Sequence, residues 1–265
     1  MSKSFIWGFI LGTALLIAAG VGASRLQDKN ATLNAKLKDA DENRYQIEVV
    51  DASPVQSGAL TEHQRIHSRI FAYYKQMRDG LPDHQKISDY FADPKGKVMG
   101  TIITVGVGAV PDPQTPEEFL GELAHKSDVV IKGTVIRKIS QITEDDSFIF
   151  TDYDIVVTAI FKDNAADPID TDKPIVVTRP GGKIAGDGFV VKADDEKFLP
   201  LLLNHEVLLF LTFIPETRAY KAADPRGSFE LNGSSIRPLS EMHLPFEVSQ
   251  DGSSFLQTAR IVSSN

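Results

Sequence analysis

From Phe5 to Ala23 the chain reads FIWGFILGTALLIAAGVGA, nineteen residues without a charge. Backbone that enters hydrocarbon must satisfy each N–H and C=O internally, so a run of this kind has one stable form there, a helix. At 1.5 Å per residue that helix spans about 28 Å, close to the thickness of a bilayer core. A helix packed in a soluble core normally keeps a polar face, and this run offers only Thr13 and glycines. The expectation is therefore an N-terminal transmembrane helix in residues 1–24. The alternative is a signal segment cleaved after Ala23, since Val21-Gly22-Ala23 supplies the small residues a signal peptidase needs. Arg25, Lys29, Lys36 and Lys38 outnumber Lys3, which by the positive-inside rule argues for a cytoplasmic C-terminal side. Long domains translocate largely regardless of flanking charge, so the expected placement of the C-terminal domain is extracytoplasmic.

The chain as a whole has ordinary globular composition, with 42% hydrophobic and 24% charged residues among 265. It has no cysteine, which removes disulfides, thiolate metal sites and cysteine nucleophiles together. Residues 115–265 hold 15 Lys+Arg against 24 Asp+Glu, a net of −9. Such a domain repels phosphate backbones, and nucleic acid is set aside as a partner.

Residues 25–60 are polar and read as a tether. Thr61-Glu62-His63-Gln64 is a capping box, and Ile66, Ile70, Tyr73, Tyr74 and Met77 recur at helical spacing, which predicts an amphipathic helix ended by Gly80-Leu81-Pro82. Residues 81–114 are an irregular connector, with a possible strand in Val98 to Val110. A second capping box, Thr115-Pro116-Glu117-Glu118, starts a helix that should end near Ser127.

From Asp128 the period changes to two. Strands are expected at 129–139, 148–161, 175–178, 189–192 and 207–213, with shorter ones at 219–222 and 228–231. Residues 115–265 thus read as a β-rich globular domain. The fold class is mainly β with flanking helices, a small closed or partly open antiparallel barrel of OB-like form. The residues Ser127-Asp128 to Val135, Phe150-Thr151-Asp152-Tyr153, Phe161-Lys162, Gly181-Gly182 and Val207 to Leu211 resemble a pattern in uncharacterised exported bacterial proteins, β-barrels of OB-fold or netrin-like kind. The resemblance covers residues 120–222 and implies no catalytic residue and no ligand. Where that pattern places a glycine before the Leu-Leu-Phe-Leu strand, this chain has Asn204-His205, and Asn tolerates the left-handed turn.

No catalytic, cofactor-binding or metal-ligating residue is assigned from the sequence. His63 and His67, four apart on a helix, would share a face and reach one metal ion, yet a metalloprotease needs Glu at position 64, which is Gln64, and no third ligand is evident. They read as an exposed pair. Asp163, Asn164, Asp167, Asp170 and Asp172 lack EF-hand spacing and read as a solvated turn. Glu144-Asp145-Asp146 and Asp194-Asp195-Glu196 read as hydrophilic loop tips. Gly181 to Gly188 lacks the P-loop order and reads as a hairpin connection or edge bulge. His125, His205 and His243 are isolated in sequence.

The function expected is a non-catalytic binding module at the cell envelope, attached to the membrane through Phe5 to Ala23 and taking a protein, peptide or glycan. Two other classes stand beside it: a hydrolase whose site assembles in space, and an inhibitor or accessory subunit of a membrane complex.

Overall fold

The computed structural model describes residues 51–55, 59–75, 86–92, 99–103, 111–112, 114–186, 189–247 and 251–264. Among these, no helix is long and apolar enough to cross a membrane. The expected membrane helix from Phe5 to Ala23 and most of the tether lie outside the described residues.

Two long strands, β3 (Val129–Ile142) and β4 (Ile149–Lys162), pair antiparallel and set the frame. Their register shifts at three places, which bends the pair enough to wrap a core. At Gly133 the strands approach so closely that a Cβ would meet Ile155 Cγ2 at 2.6 Å and Val156 O at 2.7 Å. A strand glycine is required there for backbone approach. β5 (Ile175–Pro180) flanks β4, and β8 (Glu206–Ile214) flanks β3. β9 (Ala219–Ala222) pairs with both β5 and β8, so the sheet returns on itself through five strands. β10 (Ser228–Asn232) and β11 (Ser235–Pro238) extend it beyond the ring on the β8 side.

Within the ring the expected antiparallel pairing fails at one place. β5 and β9 run parallel, Val177 opposite Tyr220. A parallel neighbour needs a long connection, and residues 181–218 supply it. Within that connection β6 (Gly182–Gly186) and β7 (Phe189–Asp195) form a hairpin, as the glycines suggest. The hairpin joins β1 (Ser53–Pro54) and β2 (Met99–Ile103) in a second, four-stranded sheet. Asn204 takes the left-handed conformation, φ 65°, at the turn into β8.

Three apolar clusters follow. The ring encloses Val129, Ile131, Tyr153, Ile155, Val177, Leu209 and Leu211. Outside β3 and β8, α3 (Pro116–Lys126) and α4 (Gly252–Ser263) cover Val130, Leu208, Phe210 and Phe229. Outside β4, the N-terminal helices α1 (Glu62–Ile70) and α2 (Ile87–Ala92) and the small sheet cover Phe148 and Phe150. Both expected capping boxes form, at Thr61 with Gln64 and at Thr115 with Glu118.

The first helix is shorter than its periodicity predicts. It stops at Ile70, the Phe71 amide bonds back to Ser68 O at 3.0 Å, and helical backbone resumes at 73–75. That break turns Phe71 and Tyr74 into the core and leaves Tyr73 43% exposed, so of the predicted stripe Tyr74 is buried and Ile70 partly buried, but Tyr73 is not. Met77 lies outside the described residues.

Candidate functional site

Alternation along β4 points Tyr153 and Ile155 into the ring and Phe148, Phe150 and Asp152 out of it. Phe148 and Phe150 are covered by Tyr74 and Phe71 in stacked pairs. At the next outward position the cover changes from hydrocarbon to polar groups.

His67 is completely buried and its ring Nδ1 lies 2.8 Å from Asp152 Oδ1. Its Nε2 lies 2.9 Å from Thr217 Oγ1, in the turn between β8 and β9. The expected exposed histidine pair therefore fails for His67, whose buried ring docks on Asp152 of β4. His63, one turn earlier, is 40% exposed in its side chain, packs its ring 4.1 Å from that of His67, and places Nε2 3.7 Å from Asp152 Oδ2. Gln141, on β3, donates from Nε2 to Asp152 Oδ2 at 3.1 Å.

Electrostatics follow from this packing. Burial raises the Asp152 carboxyl, but its contacts with His63 and His67 outweigh burial and hold it down to about 2. The same contact with Asp152 raises His63 against the opposing effect of partial burial. The site is thus an ionised, nine-tenths-covered carboxylate faced by two imidazoles. Among the described residues, His63, His67 and Asp152 are the group of three whose ligand atoms all lie within 4.8 Å of one another. Two imidazole nitrogens and a carboxylate oxygen are a donor set suited to a divalent transition metal.

A cleft of about 380 Å³ lies next to this cluster, lined by Leu60, Arg65, Gln141, Ile142, Glu144 and Ile184 among others. Gln141 belongs to both. The Glu144 amide donates to Ser68 Oγ at 2.6 Å, which ties the β3–β4 loop to α1 at the cleft wall.

The other sequence candidates disperse. His125 is exposed in the last turn of α3, His243 is exposed, and His205 pairs with Glu230, itself bound to Arg237. Asp163, Asn164 and Asp170 spend side-chain oxygens on amides of their own turn, and Asp167 pairs with Arg218. Asp145 accepts from Thr143 and Ser147, and Asp146 from Ser88. Asp195 is a correction: it is 3% exposed, at the end of β7, and accepts from the Tyr74 hydroxyl. Burial raises Tyr74 strongly, so the phenol keeps its proton.

Sequence reasoning missed Asp152, Gln141 and Thr217. For Asp152 a signal existed: a charged residue near the start of an apolar strand, on the same outward face as Phe148 and Phe150. Its partner His67 lies 85 residues away. No protein-family model matches the chain, and no curated protein resembles it significantly in sequence.

Proposed function

We propose that the chain is a non-catalytic binding module held at the outer face of a membrane by Phe5 to Ala23, and that its ring of strands is an OB-like barrel whose cleft beside the β3–β4 loop takes a segment of a partner protein. The cleft carries this reading. Its volume of about 380 Å³ falls within the roughly 300–1,000 Å³ of ligand sites. Its walls mix Leu60, Ile142 and Ile184 with Arg65, Glu144 and Asp146, the combination a short peptide segment would match.

The strand order supports the barrel. Around the ring it runs β3-β4-β5-β9-β8, with β5 and β9 the one parallel pair. In OB-folds the ligand lies on the second and third strands between the first and fourth loops. Here those are β4, β5, the loop 143–148 and the turn 215–218, and the cleft opens at the first of these loops. Fold analogy names no ligand. The net of −9 over residues 115–265 disfavours nucleic acid, and among the described residues no aromatic ring lines the cleft to stack on a sugar.

The test has two arms in cells making the full-length chain. Protease added to intact spheroplasts should degrade the domain while the membrane fraction retains a chain beginning at Met1 or Ser2; protection of the domain overturns the external placement. A photo-crosslinking residue at Leu60 should yield one protein adduct that Arg65→Glu abolishes. A glycosidase-sensitive adduct would move the reading to glycan, and an adduct indifferent to Arg65→Glu would remove the cleft from it.

A further inference from the structure

We propose that His63, His67 and Asp152 form a site for one divalent transition-metal ion of the zinc class, which fastens α1 to β4. Around a tetrahedral zinc with ligands at about 2.0–2.1 Å, neighbouring ligand atoms sit about 3.3 Å apart. His67 Nδ1 to Asp152 Oδ1, at 2.8 Å, and His63 Nε2 to Asp152 Oδ2, at 3.7 Å, bracket that spacing. All three ligand atoms lie within 4.8 Å of one another, so side-chain rotation alone brings them to one ion. His63 is the half-exposed member and has room to make that rotation. Two imidazoles favour the zinc class over the oxygen-seeking calcium and magnesium.

The surroundings have the form of a built site. A metal-bound imidazole usually donates its second ring N–H to a neighbouring acceptor, which fixes its tautomer. With Nδ1 on the ion, His67 Nε2–H meets Thr217 Oγ1 at 2.9 Å. The carboxylate is oriented in turn by Gln141 at 3.1 Å. Gln141 Oε1 is buried and finds no donor among the described residues. It is an independent sign that the polar pocket around Asp152 is built for one more group than the protein supplies. Three protein ligands leave a fourth position for water or a donor from a partner, on the side opened by His63. This site does not depend on the cleft's binding a protein; either reading stands without the other.

The full-length chain in detergent is titrated with zinc chloride by calorimetry, and with cobalt(II) followed by visible absorption. One zinc per chain is expected, with the intense cobalt bands of a four-coordinate nitrogen and oxygen site. His63→Ala leaves the circular dichroism unchanged, since its side chain is half-exposed, and weakens zinc at least ~10-fold while bleaching the cobalt bands. Thr217→Val weakens zinc about 10-fold at unchanged stoichiometry, and His125→Ala changes nothing. Absence of one-to-one binding overturns the proposal. So does a His63→Ala variant that binds zinc as the parent does, which would make the cluster a purely structural histidine pair.

Discussion

Two helical covers close the outside of the ring over different strands, and they do so with different chemistry. α3, joined by α4, lays Phe119, Leu120, Leu123, Phe255 and Ala259 over Phe210 and Phe229. α1 buries His67 and Ser68 instead, and puts its imidazole on Asp152. Both helices begin with a complete capping box. Local helix signals are therefore equal, and the difference lies in what each face presses against. The apolar cover gains from area removed from water, about 1.5–3 kcal/mol for each large side chain. The polar cover gains chiefly from hydrogen bonds to the charged Asp152, about 1.5–3 kcal/mol each, with Gln141 Oε1 left without a donor among the described residues. One cover rests on buried hydrocarbon; the other rests on hydrogen-bonded polar groups at the site proposed for zinc.

Substitutions separate the two. Phe210→Ala, with Phe210 fully buried against Phe229, should cost about 3–5 kcal/mol in urea denaturation. That cost should not change between pH 4 and pH 8. Asp152→Asn should cost about 1.5–3 kcal/mol in metal-free protein at pH 7, the range of a hydrogen bond to a charged group. A cost as large for Asp152→Asn as for Phe210→Ala would erase the contrast.

The pH dependence sharpens it. The folded Asp152 carboxyl is held at about 2, below its ordinary 3.8. Its contribution, about 2 kcal/mol, is fully present above pH 4 and is lost as pH falls from about 4 to 2. Subtracting an Asp152→Asn titration from that of the metal-free parent should isolate this loss; parallel curves would mean that Asp152 is not held charged. Smaller still, Thr61→Ala and Thr115→Ala should each cost about 1 kcal/mol, and equally, because the caps are alike. His63→Ala should cost only a few tenths of a kcal/mol in metal-free protein, since its half-exposed pair with Asp152 is screened by solvent.

The parts legible in sequence are those fixed locally. Thr61 with Gln64 and Thr115 with Glu118 announced helix starts, and the β-branched runs announced β3, β4 and β8, because caps and alternation act over a few residues. α4 was overlooked although Asp251 caps it, since Ser253, Ser254, Gln257 and Thr258 dilute the apolar rhythm of Phe255, Ala259 and Val262. The site was half legible. The spacing of His63 and His67 placed them on one face, but which face would be buried depended on β4, whose Asp152 is remote in sequence. The break at Phe71 was equally hidden, because it is imposed by docking Phe71 and Tyr74 on Phe150 and Phe148.

On the zinc proposal the polar cover is an exchangeable fastening and the apolar cover is not. Hydrogen exchange of the α1 and α3 amides in the full-length chain, with and without zinc, tests it most directly. α1 amides should exchange much faster than those of α3 in the metal-free protein. Zinc at about one hundred times its Kd should slow α1 roughly a hundredfold and leave α3 unchanged. Equal protection of the two helices, with no response of α1 to zinc, would contradict the account.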